Sequence, residues 1–268
     1  MLMKKGLLEF SPVQVASLRL VFAGSVAVFF FFREYKKLKP KDFMFLALSG
    51  LLGNFIPAFL FANAGSLMPS SLSGALNAMT PFFTLILGVI LFSNAFKLKQ
   101  GVGIGVGLIG SLILIFTKST GEFSFQSDYI WPCSQAILAA FLYGINVNII
   151  KSKLNHLSAI VNSMVPLTII LVPALVIALA NNTWQTATHA NSNSALLYIV
   201  VLGVVGSAIS LIVFNTLVKK TTAIFAASVT YLIPIFAYAW GVLDGEPIGL
   251  FQILGMVFIL LGITLTRK

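Results

Sequence analysis

The sequence predicts an all-α integral membrane protein, a helical bundle of two inverted five-helix repeats, and three observations carry that prediction. Of 268 residues, 58% are hydrophobic and only 9% charged, whereas soluble domains carry about a quarter charged residues. Apolar runs of about 20 residues, enough to cross a bilayer as a helix, recur along the whole chain. The second half repeats the glycine and proline punctuation of the first.

The runs fall at 11–32, 42–62, 70–92, 99–117, 130–150, 159–180, 195–218, 221–243 and 247–266. They are apolar on every face and about twice the length of a barrel strand, which favours helices. The first follows Lys4 and Lys5 as a secretory leader would. It is too long for a leader and further spans follow, so it is expected to be a membrane helix.

Lysines and arginines set the orientation. With the loop after the first run inside, the cytoplasmic face collects Arg33, Lys36, Lys37, Lys39, Lys41, Lys97, Lys99, Lys151, Lys153, Lys219, Lys220, Arg267 and Lys268. Lys4, Lys5 and Lys118 fall outside, with Glu9, Glu122, Asp128, Asp244 and Glu246. The C-terminus is therefore expected in the cytoplasm, and the protein in the inner (cytoplasmic) membrane.

A net charge of +10 raises nucleic acid as a partner, but the charges lie in short clusters between apolar runs. That is the pattern of cytoplasmic loops. The partners expected are membrane lipid and a small-molecule substrate, with no nucleic acid. Seven acids, two histidines and one cysteine leave little for hydrolysis or a metal cage. No enzyme, metal or cofactor is expected. The run Gly101-Val102-Gly103-Ile104-Gly105-Val106-Gly107 lacks the Lys-Ser/Thr and the strand of a phosphate loop. Its four-residue spacing suits close helix packing instead. Cys133 is solitary and can form no internal disulfide.

Laid over the first half, the second matches Gly50 with Gly203, Gly53 with Gly206, Ile56 with Ile209, Phe61 with Phe214, Pro81 with Pro234 and Phe83 with Phe236. After a one-residue slip, Leu98, Gln100, Gly103 and Gly110 match Leu250, Gln252, Gly255 and Gly262. Nearer the N-terminus Lys4, Leu7 and Ser11 match Lys151, Leu154 and Ser158. Weak internal symmetry of this kind marks transporter folds. The first repeat spans 1–120 and the second 128–268. An odd number of helices per repeat inverts the second copy. Ten helices are expected and nine full ones are present, the first helix of repeat one being mostly missing. The expectation is a chain that starts one helix late; the alternative is a true nine-helix protein with an external N-terminus.

Two five-helix units, each with a proline in the fourth helix and a glycine pair in the fifth, resemble the EamA-type transporters of the drug/metabolite transporter superfamily. The resemblance rests on Phe10-Ser11-Pro12 with Arg19, on Asn77-Ala78-Met79-Thr80-Pro81-Phe82-Phe83, on Gly103 with Gly110, on Gly245-Glu246, and on Gly255 with Gly262. Where the family carries a second Gly-Glu pair, the first copy reads Ser93-Asn94. The resemblance implies a substrate cavity between the repeats and a permease for efflux or exchange of small metabolites such as amino acids. A membrane structural or assembly protein without transport, or a truncated inactive transporter, is the alternative.

Polar groups at bilayer depth are costly and tend to face the bundle interior. Ser73, Asn77, Thr80 and Thr84 form one stripe, and Gln135, Tyr143 and Asn146 another. Tyr231 and Tyr238 share a face with Pro234, Trp240 lies near the external end, and Asn54 with Pro57 marks the 42–62 run. The substrate-binding candidates are Arg19, Asn54, Asn77, Thr80, Gln135, Tyr143, Asn146, Tyr231, Tyr238 and Trp240. The same side chains could instead join helices by hydrogen bonds. Arg19 is the one formal charge well inside an apolar run. It could hold a substrate carboxylate, reach the external surface, or pair with a helix terminus or Glu9. Pro81 and Pro234 are hinge candidates, each freeing a carbonyl one turn back. Gly103, Gly110, Gly255 and Gly262 are expected at helix packing, within one chain or between two, which leaves a homodimer open. Every carboxylate and both His156 and His189 lie in loops or near helix ends, which favours a facilitator or exchanger over a proton-coupled pump.

Overall fold

The computed structural model describes residues 2–35, 38–68, 70–116, 129–188, 192–236 and 249–266. All the regular structure among these residues is helical. In chain order the helices are α1 (Leu2–Gly6), α2 (Pro12–Glu34), α3 (Pro40–Leu67), α4 (Ser70–Asn77), α5 (Thr80–Phe92) and α6 (Leu98–Phe116). They continue as α7 (Ile130–Lys153), α8 (Ala159–Ala180), α9 (Thr183–Ala187), α10 (Asn193–Lys220), α11 (Ala223–Phe236) and α12 (Leu250–Thr266). By length and composition α2, α3, α7, α8 and α10 can each cross a membrane.

The helix starts are chemically specified. Ser11 caps α2 by accepting from Gln14 N, while Gln14 Oε1 accepts from Ser11 N, a reciprocal capping box with Pro12 following. Ser158, the residue matched to Ser11, caps α8 through Val161 N. Thr222 caps α11 through Phe225 N.

Two predicted runs differ from single straight helices. The 70–92 run is interrupted at Ala78–Met79, because Pro81 lacks an N–H and is placed in the first turn of α5, where that group would be unpaired anyway. The Ser73–Thr84 stripe is therefore split between α4 and α5. In α11 the backbone tightens into a 3₁₀ turn at Val229–Tyr231, just before Pro234.

Contacts divide the chain into two units, Met1–Ser66 with Ile149–Lys220, and Leu67–Asn148 with Thr221–Lys268. Each unit draws helices from both halves of the sequence. In the first, α2 runs along α8, with Leu20, Ala23, Ala27, Met164, Leu167, Ile170 and Ala174 in its core. Gly24 marks the closest approach: a Cβ there would lie 2.8 Å from Leu171 Cβ. In the same unit, α3 packs on α8 and α10 on α2.

In the second unit α6 runs along α12. A Cβ on Gly103 would sit 2.9 Å from Gly262 O, and one on Gly110 would sit 2.6 Å from Gly255 O. Since Gly103 and Gly110 match Gly255 and Gly262, these contacts are images of each other, the reciprocal pattern a two-fold relation produces. Both glycine ridges are thus occupied by each other within one chain. The first unit shows the same reciprocity. Gly50 faces Pro166 O at 2.9 Å and its match Gly203 faces Arg19 O at 2.7 Å, measured from a built Cβ.

Candidate functional site

Of the two candidates in the first unit, Arg19 and Asn54, the latter sits on a wide turn. In α3 the α-helix gives way over Leu51–Phe55 to a π-type turn, and in α10 the same happens over Val204–Ile209. The overlay that matches Gly50 with Gly203 puts Leu51 on Val204, so both copies carry the distortion at one place. Single π-turns inside α-helices are frequent at functional sites. Asn54 lies in the first and Ser207, its match, in the second.

Arg19 lies on α2, half-buried, and its Nε donates to Ser207 Oγ at 2.7 Å. That partner is neither Glu9 nor a helix terminus, the alternatives open in the sequence. Ser207 Oγ in turn reaches Leu202 O at 3.2 Å. A guanidinium has five N–H donors in a planar fork. Among the described residues only Nε is engaged. The terminal edge is left with the geometry that accepts a carboxylate through paired bonds. Asn54 is half-buried, and its amide makes no hydrogen bond among the described residues.

In the second unit the polar stripe is largely committed to its own helices. Thr80 Oγ1 donates to Asn77 O at 2.7 Å and lies 3.3 Å from Asn77 Oδ1, and Thr84 Oγ1 donates to Thr80 O at 2.8 Å. The Asn77 carbonyl, which Pro81 was expected to leave free, is thus taken by a hydroxyl. Asn77 remains half-buried and Thr80 is buried. Tyr231 is fully buried against Ala78 and Ile259, with its hydroxyl donating to Ile104 O at 3.0 Å and its ring filling the space over Gly107. Asn146 is 4% exposed, and its Oδ1 has no hydrogen-bond partner. Gln135 and Tyr143 are half-buried on α7, and Pro81 and Pro234 are buried. Tyr238 and Trp240 lie outside the described residues.

Three features escaped the sequence. Asn148 clamps α7 to α5, its Nδ2 donating to Thr84 O and Gly144 O, both at 2.9 Å, while its Oδ1 accepts from Asn94 Nδ2 at 3.1 Å. Ser207 was not singled out in the sequence, and its place beside Arg19 comes from the fold. Asp42 lies near a helix end, as expected of the acids, but its burial there was not anticipated. It is in the first turn of α3 yet 8% exposed, with Oδ1 3.1 Å from His156 Nε2. Its burial arises from the loop after α7 folding back over that turn, a contact local sequence does not encode. His189 lies outside the described residues.

These features define a multi-pass helical membrane protein with internal two-fold contacts and a charged side chain held inside a spanning helix. The chain belongs to the EamA-like transporter family, which matches residues 1–116 and 130–267. Family membership makes it a membrane transporter rather than an enzyme, and an inverted-repeat helical fold fits that membership. It is 26% identical over 268 residues to a protein named probable amino-acid metabolite efflux pump from Salmonella typhimurium, covering 97% of this chain and 87% of that one. A protein of the same name from Escherichia coli K12 is 26% identical over 270 residues, with the same coverage. A solved crystal structure of 16% identity aligns with a TM-score of 0.73 over 98% of this chain and 94% of that one, a likeness of fold.

Proposed function

We propose that the protein exports or exchanges small metabolites such as amino acids across the cytoplasmic membrane by alternating access, with its C-terminus inside. The observation that carries this reading is similarity along 97% of the chain to proteins named probable amino-acid metabolite efflux pumps. Arg19 supports it, because a carrier of amino acids needs a carboxylate partner away from bulk water, and a charge inside a spanning helix is a functional group by default. Asn54, Asn77, Thr80, Gln135, Tyr143, Asn146, Tyr231, Tyr238 and Trp240 are the further substrate contacts we propose. Pro81 and Pro234 are the hinges, the latter at a helix already tightened toward a break.

The test is counterflow in proteoliposomes. Vesicles carrying the purified chain and preloaded with one unlabelled amino acid at a time should accumulate the labelled form. Arg19→Gln should raise KM for carboxylate-bearing substrates about tenfold or more, with a smaller change for their amides. A folded, correctly inserted protein that moves no member of a broad amino-acid panel in either direction would refute the reading.

A further inference from the structure

The last turns of α2 and of α8, its match in the second copy, expose the same positions and clothe them in different chemistry. The overlay that puts Ser11 on Ser158 puts Phe29 on Val176 and Phe32 on Leu179. All four side chains are more than half exposed. In α2 the exposed pair is aromatic, Tyr35 extends it with its ring edge-on to Phe32 at 6.4 Å between centroids, and five cations follow, Arg33, Lys36, Lys37, Lys39 and Lys41. In α8 the pair is aliphatic, and residues 176–189, which match 29–42, hold no lysine, arginine, aspartate or glutamate. The scaffold therefore folds without the rings and the charges, and their presence on one copy calls for a separate cause.

Depth places this segment at a membrane surface. From Pro12, the first residue of α2, to Arg33 the helix rises about 32 Å, one hydrocarbon thickness of about 30 Å. The nearby acids do not neutralise the cations. Asp42 is buried, with Oδ1 3.1 Å from His156 Nε2 and Oδ2 accepting from Lys39 N at 3.4 Å. Glu34 is half-buried and has an interaction of its own. Arg33, Lys39 and Lys41 are exposed, and none of them pairs with an acid among the described residues. A cluster of four to eight lysines and arginines directly after a spanning helix attracts anionic headgroups. The positive-inside rule accounts for cations here, but it asks for no exposed phenylalanines beside them.

We propose that Phe29, Phe32, Arg33, Lys39 and Lys41 form a docking surface for anionic phospholipids of the cytoplasmic leaflet. The phosphate oxygens accept from the guanidinium and ammonium groups, and the acyl chains lie against Phe29 and Phe32. A membrane surface is a sheet of phosphates, so each cation meets its own headgroup and no convergence on one point is needed. A zwitterionic lipid brings a cation of its own and gains less. The proposal takes from the reading above only the orientation, which names the leaflet.

The experiment puts a bimane fluorophore on each of two matched positions of the full chain, Phe29→Cys and Val176→Cys, both in a Cys133→Ser background and in phosphatidylcholine vesicles. Doxyl-labelled phosphatidylglycerol and doxyl-labelled phosphatidylcholine with the same acyl chains then compete to quench it. At position 29 the anionic lipid should be preferred about fivefold or more, the attraction of one cation to such a surface. At position 176 the two lipids should quench alike. Arg33→Gln, Lys39→Gln and Lys41→Gln together should bring the ratio at position 29 toward one, with the other inside cations kept to hold the orientation. Added salt should lower the ratio, while inorganic phosphate at matched ionic strength should leave it unchanged. Equal ratios at the two positions, a preference at position 29 untouched by neutralisation, or its specific loss to inorganic phosphate would overturn the proposal. If the neutralised chain does not fold, the comparison of positions 29 and 176 still decides. No readout depends on transport, so a chain that moves nothing in counterflow would sink the transporter reading and leave this one to the lipid ratio.

Discussion

Replacing Gly110 by alanine adds one methyl group at the crossing of α6 and α12, and the structure gives its consequence in distance. The new Cβ would lie 2.6 Å from Gly255 O, 2.8 Å from Ile259 N and 2.8 Å from Phe258 Cβ. Two of these are backbone atoms, which cannot rotate away. Ordinary contact begins at 3.4 Å, so the helices must part by 3.4 minus 2.6, about 0.8 Å. A gap of 0.5–1 Å forfeits about a quarter to a half of the dispersion energy of each facing pair. Overpacking of this kind costs about 1–3 kcal/mol. Gly105, in the same helix, provides the control, since a Cβ there meets nothing within 4 Å. Gly105→Ala should be neutral or stabilising by about 0.5–1 kcal/mol, from helix propensity and lost unfolded-state entropy alone. Denaturant titration of both variants in the same micelles, followed by tryptophan fluorescence or helical circular dichroism, should therefore give shifts of opposite sign. Equal shifts, or a stabilised Gly110→Ala, would refute the close crossing.

Asn148→Leu removes the clamp between α7 and α5 and should cost about 1 kcal/mol in the same titration, the scale of interhelical hydrogen bonds in membranes. Ser207→Ala takes from Arg19 the one hydrogen-bond partner it has among the described residues, and should raise KM for carboxylate substrates by less than Arg19→Gln does, measured in counterflow. The proposed orientation is checked with a membrane-impermeant maleimide. Lys220→Cys in a Cys133→Ser background should label in inside-out vesicles and stay unlabelled in right-side-out ones. Asp42→Asn should loosen the packing of the first turn of α3 against the loop carrying His156, raising amide hydrogen exchange over residues 40–46 and leaving α6 unchanged.

Much of the fold was legible because the bilayer imposes simple rules. Length and hydropathy located the spanning segments, and Ser11 and Ser158 announced helix starts by residue type. The wide turns were not legible, because no residue in Leu51–Phe55 or Val204–Ile209 is itself forbidden in an α-helix. Their glycines permit the distortion without demanding it. The burial of Asp42 was not legible for a related reason: position near a helix end says nothing of whether a neighbouring loop, here the one carrying His156, packs against it. The candidate site was legible as a set of polar residue types and not as a set of roles. Thr80 and Thr84 satisfy themselves on their own helices, and Tyr231 fills the space over Gly107.

The reciprocal crossing of α6 and α12 also constrains how this chain can drift. Gly103 meets Gly262 while Gly110 meets Gly255, so sliding either helix by one residue breaks both contacts at once. An insertion or deletion between the glycines of one copy has no compensating change in that copy alone; it must be answered by the same change in the other. The two copies are free to diverge in chemistry, as Asn54 and Ser207 have, but in the spacing of these glycines each acts as the template that holds the other in register.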